Sequence, residues 1–382
     1  MRGVRIPPFY AGEIARRGAI RARAGLPVIS MHFGQPTAPA PGPAIQCAHE
    51  VLDRDSLGYF ESSALSERLS RHYHETYGVE VAPSRILLTT GASAGLVALF
   101  AALFEPGDRV ALVRPGYPAY RNTLQALGLV AEEMTCGPAE NFRPNPDMLA
   151  SLGPPPAGFV VASPANPTGA MLDADALQSL VDHCRVHGTQ FISDEIYHGI
   201  SYGAEAVSAL QFDPDAIVIN SFSKLYRMPG WRLGWAVVPE SMAESISAYL
   251  INMFLTAPTL SQHAALVAME QADDLQAGVE VYRQNREKLM AGLNHLGITR
   301  IAPPDGAFYL YADMHHITSD SLQFCIRAME EIGVGLAPGI DFDPLDGHRF
   351  VRFSFAVSPE EIDRALELLA GWLPGYRDNK SG

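Results

Sequence analysis

Short, continuously apolar runs alternate with stretches of helical period through the first two thirds of the chain. The runs are Ile86 to Thr90, Val110 to Val113, Phe159 to Ser163, Gln190 to Ser193, Ala216 to Ile219 and Leu233 to Val238. None alternates polar with apolar positions, so each reads as a strand covered on both faces. Between them, Ala94 to Phe104, the stretch from Pro118 to about Leu127, and Asp175 to His187 carry apolar residues at helical spacing. Strand and helix in this alternation predict the α/β class, a mostly parallel sheet with helices on both faces.

The last third has a different pattern. A helix from about Ala277 to Leu296 is charged on one face and long enough to bridge two parts of the molecule. Gly306 to Tyr311, Val334 to Gly339 and Phe350 to Phe355 read as strands, Ser321 to Glu331 as an amphipathic helix, and Pro359 to Leu373 as a closing helix. Together they predict a smaller α+β domain. At the other end Pro7-Pro8 blocks a helix start, and Ala11 to Ala24 then has helical composition. This arm is expected to pack on the body or on a partner subunit. A short strand from Val28 ends in a glycine turn at Gly34, where backbone can approach a ligand closely. Ala44 to Leu52 and Leu65 to Tyr77 are helical on either side of the loop Gly58 to Ser63. The expected division is an arm with part of the small domain over residues 1–40, a large domain over 41–276 and a small C-terminal domain over 277–382. A chain of 382 residues exceeds the size at which single cores stop growing, in keeping with two domains.

Charge and composition narrow the function classes. Against 42 acidic side chains there are 28 basic ones, a net charge of −14, and no Lys/Arg run marks a surface for a phosphate backbone. Nucleic acid is therefore not an expected partner. Cys47, Cys136, Cys184 and Cys325 are scattered without C-x-x-C spacing and read as small core residues of a reducing compartment. Pro7, Pro8, Glu13, Arg16 and Arg17 break any apolar leader, and no apolar segment reaches spanning length. The expected location is the cytoplasm, with no membrane partner.

The candidate chemistry gathers where the strands end, which is where open α/β sheets bind ligands. Lys224 follows the run Ala216 to Ile219, stands between Ser221 and Ser223, and has Arg232 eight residues on behind Pro229-Gly230. Burial and a nearby cation both disfavour protonation, which suits a lysine acting as nucleophile or Schiff base. Gly91-Ala92-Ser93 opens a helix, so its free amides and a hydroxyl offer an anion site, most simply for a phosphate, although Ser93 alone would pass for an ordinary helix cap. Asp194 ends an apolar strand and needs a partner to stay ionised; a protonated heteroaromatic nitrogen is one, a salt bridge another. Tyr197, three residues on, and Asn166 before Pro167 are donors for a phenolate-like oxygen, or else packing and turn residues. Tyr117, between Gly116 and Pro118, is placed to stack on a ring or to cover the sheet edge. Arg352 lies between Val351 and Phe353 on the alternating stretch Phe350 to Phe355, where a buried guanidinium calls for a bidentate carboxylate. An amine, a carboxylate for a ring nitrogen, donors for a ring hydroxyl, a stacking aromatic and a phosphate cup describe one cofactor, pyridoxal 5'-phosphate.

With Asn166-Pro167-Thr168-Gly169, Ser193-Asp194-Glu195-Ile196-Tyr197, Ser221-Phe222-Ser223-Lys224 and Gly230-Trp231-Arg232-Leu233-Gly234 in this order, the chain resembles the class I/II, aspartate aminotransferase-like group of fold-type I pyridoxal-phosphate enzymes. The resemblance runs from Gly34 to the final helix. It implies an aminotransferase that moves the amino group of an L-amino acid to a 2-oxo acid in ping-pong, through a Schiff base on Lys224. It further implies that Asp194 binds the ring nitrogen, that Asn166 and Tyr197 hold the ring hydroxyl, and that Ser221 and Arg232 join Ala92 and Ser93 on the phosphate. Tyr117 then stacks on the ring, while Gly34, Asn166 and Arg352 bind the substrate, with Arg352 gripping its α-carboxylate. The family also implies a homodimer with active sites at the subunit interface, and Tyr59 is the candidate to reach the neighbouring subunit's phosphate. Three positions depart from the family pattern. Glu61 falls near a glycine usual in the Tyr59 loop, Ser93 or its neighbours stand where aspartate-using relatives often have a lysine, and Ala165 replaces a frequent asparagine. A second carboxylate on the substrate is thus not expected by the lysine route. The same cofactor would also serve a C–S β-lyase or another elimination enzyme, which releases pyruvate and ammonia without an acceptor. A non-catalytic regulator would need a DNA-binding domain, and fewer than forty residues precede Gly34. A nucleotide site at Gly91 to Gly95 matches neither G-x-G-x-x-G nor a Walker pattern.

Overall fold

The computed structural model describes residues 6–376. In chain order the first elements are helix α1 (Tyr10–Arg23), strand β1 (Ile29–Ser30), and helices α2 (Gly42–Arg54) and α3 (Ser63–Tyr77). The alternating body follows as β2 (Ile86–Thr89), α4 (Gly91–Leu103), β3 (Arg109–Arg114), α5 (Pro118–Ala126), β4 (Val130–Thr135), α6 (Pro146–Ala150), β5 (Gly158–Ala162), α7 (Ala174–His187), β6 (Gln190–Asp194), β7 (Ile217–Ser221) and β8 (Gly234–Val237). Then come α8 (Glu240–Phe254), α9 (Thr259–Ala268), α10 (Ala272–His295), β9 (Tyr309–Asp313), α11 (Ser321–Arg327), β10 (Val334–Gly335), β11 (Ala337–Pro338), β12 (Phe350–Ser354) and α12 (Pro359–Trp372).

Seven strands form one sheet in the order β2-β8-β7-β6-β5-β3-β4, with β8 alone antiparallel to its neighbours β7 and β2. This is the expected α/β architecture. Apolar clusters fill both faces of the sheet, one around Phe159, Phe222 and Trp235, the other around Leu99, Phe100 and Ile219, as strands without polar alternation require. The register sets the site. Ala162 pairs with Asp194, Asp194 with Ile219, Ser221 with Gly234, and Gly234 with Thr89. Four parallel strands therefore end on one rim together with the start of β8.

The expected arm helix packs on the body. The α1 amides of Tyr10 and Ala11 donate to the Asp341 carboxylate, and Arg21 Nη1 donates to the Glu330 carbonyl at 2.7 Å. A three-stranded antiparallel sheet, β11-β12-β9, carries Arg352 opposite Tyr311 and Ala337.

Several boundaries differ from the sequence expectations. The strand expected from Gly306 begins at Tyr309, because Gly306 and Ala307 give their amides to the Gly169 and Ile200 carbonyls instead of to the sheet. The helix expected over Ser321 to Glu331 keeps α-helical form only to Arg327 and finishes in a wider turn, Ala328–Ile332. The long helix starts at Ala272, not Ala277, with Asp273 and Asp274 in its first turn, where the helix dipole favours acidic residues. Strand β4, Val-Ala-Glu-Glu-Met-Thr, is an edge strand with a polar centre, which leaves no continuous apolar run to detect.

Candidate active site

The rim encloses a cavity of about 360 Å³. Ala92, Ser93, Tyr117, Asn166, Asp194, Tyr197, Ser221, Lys224 and Arg232 come to it from the large sheet, and Gly34 and Arg352 from the opposite side. Eleven of the twelve sites singled out in the sequence are thus brought together. Tyr59 is not among the lining residues; it stands 81% exposed on the loop before α3.

Lys224 follows β7 by three residues and is only partly open to the cavity. Its Nζ donates to the Gly34 carbonyl, and the ammonium lies 5.6 Å from the centroid of the Tyr197 ring. Burial, then the Arg352 and Arg232 charges, lower its pKa to about 8, against the opposing pull of Asp194. Burial is thus the main cause, with Arg352 ahead of the sequence neighbour Arg232. At about pH 7.5 such an amine is roughly a quarter neutral, against about one part in a thousand for an unperturbed lysine.

Burial pushes the Asp194 carboxyl above its usual range, while three groups work to keep it ionised. Tyr120 OH donates to Oδ2, the Ile196 amide donates to Oδ1 at 3.1 Å, and the Lys224 charge attracts. A buried carboxylate with its oxygens so fixed is a ready partner for a cationic ring N–H.

Asn166 Oδ1 accepts from Arg352 Nη1 at 2.8 Å, so its amide hydrogens are left as donors. Tyr197 and Tyr309 share a 2.5 Å hydroxyl–hydroxyl bond, and Tyr197 meets Tyr309 and Phe308 edge-on at 5.6 and 5.4 Å. Burial drives the Tyr197 pKa far above the usual value, so the phenol stays protonated and can donate.

Arg352 is 2% exposed. Nη2 donates to the His32 carbonyl at 2.7 Å, and the guanidinium carbon lies 4.4 Å from the Tyr309 ring centroid and 4.7 Å from that of Phe342. Neither hydrogen-bond partner is a carboxylate, and Nε is buried with no partner among the described residues. A buried guanidinium held by neutral acceptors and ring faces is a receptor for an incoming carboxylate.

At the other end of the cavity α4 begins at Gly91, whose φ is +76°. A Cβ there would run into the Arg232 guanidinium, so glycine is required by both backbone and space. Thr90 caps α4 with no side-chain hydrogen bond, which leaves the first amides free. Arg232 sits in the left-handed region at φ +53°, and Nη1 donates to the Pro229 carbonyl at 2.8 Å. Ser221 Oγ lies 2.8 Å from Ser223 Oγ and 3.0 Å from the Leu233 carbonyl. Free amides, hydroxyls and a fixed guanidinium at a helix start make an anion cup.

Sequence reasoning missed Tyr120, Tyr309, His32, Phe33 and Phe9, all of which line the cavity. Tyr120 was findable, since it follows Tyr117, the N-cap residue of α5, by three residues, and the two rings meet edge-on at 5.4 Å. Phe9 and Tyr309 arrive through tertiary packing and carry no local signal. Both His32 ring nitrogens are buried without partners among the described residues, and burial with the Arg352 charge lowers its pKa to about 4, so the ring is neutral.

Comparison with known proteins agrees with this arrangement. The family described as "Aminotransferase class I and II" matches residues 37–369. A valine–pyruvate aminotransferase of Mycobacterium tuberculosis is 42% identical, covering 97% of each chain. The crystal structure of an aminotransferase from Mycobacterium tuberculosis superposes with a TM-score of 0.94 at 41% identity, over 97% of this chain and 98% of that one. An aspartate aminotransferase of Thermus thermophilus with maleate gives a TM-score of 0.90 at 29% identity, over 97% of this chain and all of that one (100%). The chain belongs to the class I and II aminotransferase family and is an aminotransferase.

Proposed function

We propose that this chain transfers the amino group of an L-amino acid to a 2-oxo acid with pyridoxal 5'-phosphate as cofactor, in ping-pong order, and that Lys224 is the amine that holds the cofactor. The observation that carries the reading is Lys224, lowered to about pKa 8, in one cavity with buried Asp194 between an anion cup at Gly91 to Ser93 and the carboxylate-free guanidinium of Arg352. The donor set fits the cofactor. Asp194 suits the ring nitrogen, Asn166 and Tyr197 the ring hydroxyl, and Ala92, Ser93, Ser221 and Arg232 the phosphate, with Tyr117 against the ring. When bound, pyridoxal phosphate supplies the carbonyl that takes the amino group and the ring that withdraws the electron pair left on the donor's Cα.

The chain's own residues do the rest. Arg352 seats the α-carboxylate and so fixes the orientation of Cα. Lys224 Nζ, once released, is the base that removes the Cα proton and later returns one as acid, and a pKa near 8 lets it do both near neutral pH. Ionised Asp194 keeps the ring nitrogen protonated, and Tyr120 keeps Asp194 ionised. One carboxylate receptor serves donor and acceptor alike, so the first oxo acid leaves before the second enters.

The donor reading is an amino acid with a neutral apolar side chain, valine with pyruvate as acceptor. The valine–pyruvate relative supports it. So does the charge inventory, since Lys224, Arg232 and Arg352 are the only cations among the described lining residues and each has a partner group in the reading. The reading includes a cytoplasmic homodimer in which Tyr59 of a second copy reaches the phosphate. Among the described residues no helix is long and apolar enough to cross a membrane. Leu57, Tyr59 and Phe60 form exposed apolar surface on the Tyr59 loop, which a second subunit would cover.

The test combines borohydride reduction of the loaded enzyme, followed by peptide mass mapping, with a donor panel scored against pyruvate. A pyridoxyl group on Lys224 and alanine formed from valine and pyruvate are expected. A pyridoxyl group elsewhere removes Lys224 from its role, and pyruvate with ammonia formed without an acceptor replaces the transferase by a lyase.

A further inference from the structure

We propose that Phe9 is a specificity-determining residue, held over the substrate end of the cavity by Asp341, and that it selects donors with branched apolar side chains. The proposal rests on the transaminase reading above. Phe9 lines the same cavity as Lys224 and Arg352, although it lies at the far end of the chain from both in sequence. It is the N-cap residue of α1, with extended backbone and no side-chain cap of its own. The α1 amides therefore need an acceptor from elsewhere.

Asp341 supplies it. Its Oδ1 accepts from the Tyr10 amide at 2.7 Å and its Oδ2 from the Ala11 amide at 2.9 Å, with the carboxylate 3% exposed. Burial raises the Asp341 pKa to about 6, and the two α1 amides are the leading groups that pull it back, followed by the Arg352 and Arg121 charges. A buried carboxylate bonded through both oxygens to a helix start fixes that start in position and direction.

The tether also joins Phe9 to the carboxylate receptor. Asp341 lies in the turn Gly339–Asp341 directly after β11, and β11 pairs with β12 at Ala337 opposite Arg352. The same helix is tied again at its other end, where Arg21 donates to the Glu330 carbonyl and Arg17 pairs with the Glu330 carboxylate. Phe9 and Arg352 thus ride on one packed unit, and whatever seats the α-carboxylate at Arg352 meets Phe9 at a fixed offset.

What Phe9 offers there is apolar. With Phe33 it gives the cavity two aromatic residues that are 43% and 36% exposed, and the neighbouring His32 ring is neutral and lies 4.2 Å from Phe33, centroid to centroid. Apolar surface left open at a cavity mouth is covered by a donor side chain that reaches it, while a short one leaves it wet. One methylene in an apolar pocket is worth roughly 10- to 200-fold in kcat/KM, so losing the ring costs a branched donor and spares alanine.

The experiment compares the holoenzyme with Phe9→Ala, Phe9→Leu, Asp341→Ala and Asp341→Asn. Donor half-reactions with valine and alanine are followed by cofactor absorbance, and hydrogen exchange is measured at the amides of residues 10–14. Phe9→Ala is expected to lose roughly tenfold in kcat/KM for valine, mostly in KM, with alanine within about twofold and Phe9→Leu near wild type. Asp341→Ala is expected to repeat the valine loss and to speed exchange about tenfold or more, with Asp341→Asn between it and wild type. Equal losses for valine and alanine in Phe9→Ala overturn the specificity role. Unchanged exchange and donor preference in Asp341→Ala overturn the tether. Exchange does not depend on the donor, so a wild type inactive toward valine yet slow to exchange sinks the donor reading alone. Phe9 is then judged on the largest donor the enzyme does use, and a loss that does not grow with side-chain size overturns it.

Discussion

Replacing Tyr120 by Phe removes one oxygen and leaves the ring in place, so the change falls on Asp194. Tyr120 OH is the side-chain partner of Oδ2, and Asp194 is 4% exposed. A hydrogen bond to a charged group contributes about 1.5–3 kcal/mol, so losing this one should raise the Asp194 pKa further. The sign follows from the groups around it. Burial already raises this carboxyl, the Tyr120 bond opposes burial, and losing the bond lets burial act further. A less readily ionised Asp194 holds a protonated ring nitrogen less well, so the cofactor dissociation constant should rise roughly 10- to 100-fold. The acid limb of the kcat/KM profile should move to higher pH. Equilibrium dialysis of pyridoxal phosphate and a donor pH profile measure the two effects. A dissociation constant within about twofold of wild type, with an unmoved acid limb, would refute the claim that Tyr120 sustains the Asp194 charge.

Three more outcomes follow from the same geometry. Arg352→Ala should reduce kcat/KM by roughly 30-fold or more, on the scale of about 2–5 kcal/mol for a buried charge partner, and by similar factors for donor and acceptor, because both carry the α-carboxylate; steady-state kinetics on each half-reaction checks this. Gly91→Ala combines a strained φ of +76° with a clash against Arg232 and should cost about 1–3 kcal/mol in a denaturant melt, together with weaker retention of inorganic phosphate. In the cofactor-free protein, reaction of the Lys224 amine with pyridoxal phosphate should rise with pH around a midpoint near 8, because the reactive form is the deprotonated one; Arg352→Leu, which removes a cation that lowers this pKa, should move the midpoint upward in a rate–pH titration.

The legible part of this site was the part that a parallel sheet dictates. Thr89, Ala162, Asp194 and Ser221 each end an apolar run, and runs that pair side by side end side by side. A residue-type reading at four strand ends could therefore assemble the end of the cavity proposed for the cofactor without any long-range contact. The substrate end has another origin. His32, Phe33 and Gly34 leave a two-residue strand that pairs with β10, Tyr309 begins a strand three residues later than the pattern suggested, and Phe9 is fixed by a carboxylate 332 positions away, by difference from Asp341. Such contacts follow from packing between distant segments, and each alone reads as an ordinary aromatic or polar residue. Arg352 is the exception because a guanidinium in an apolar strand is anomalous by itself. The same asymmetry explains why the motifs specify a cofactor and say little about the donor. In the proposed reading the phosphate, ring nitrogen and ring hydroxyl would be met by residues whose types are fixed by chemistry. The side chain of the donor would be met by apolar surface whose identity is set by where the arm, the Gly34 turn and the Arg352 sheet converge.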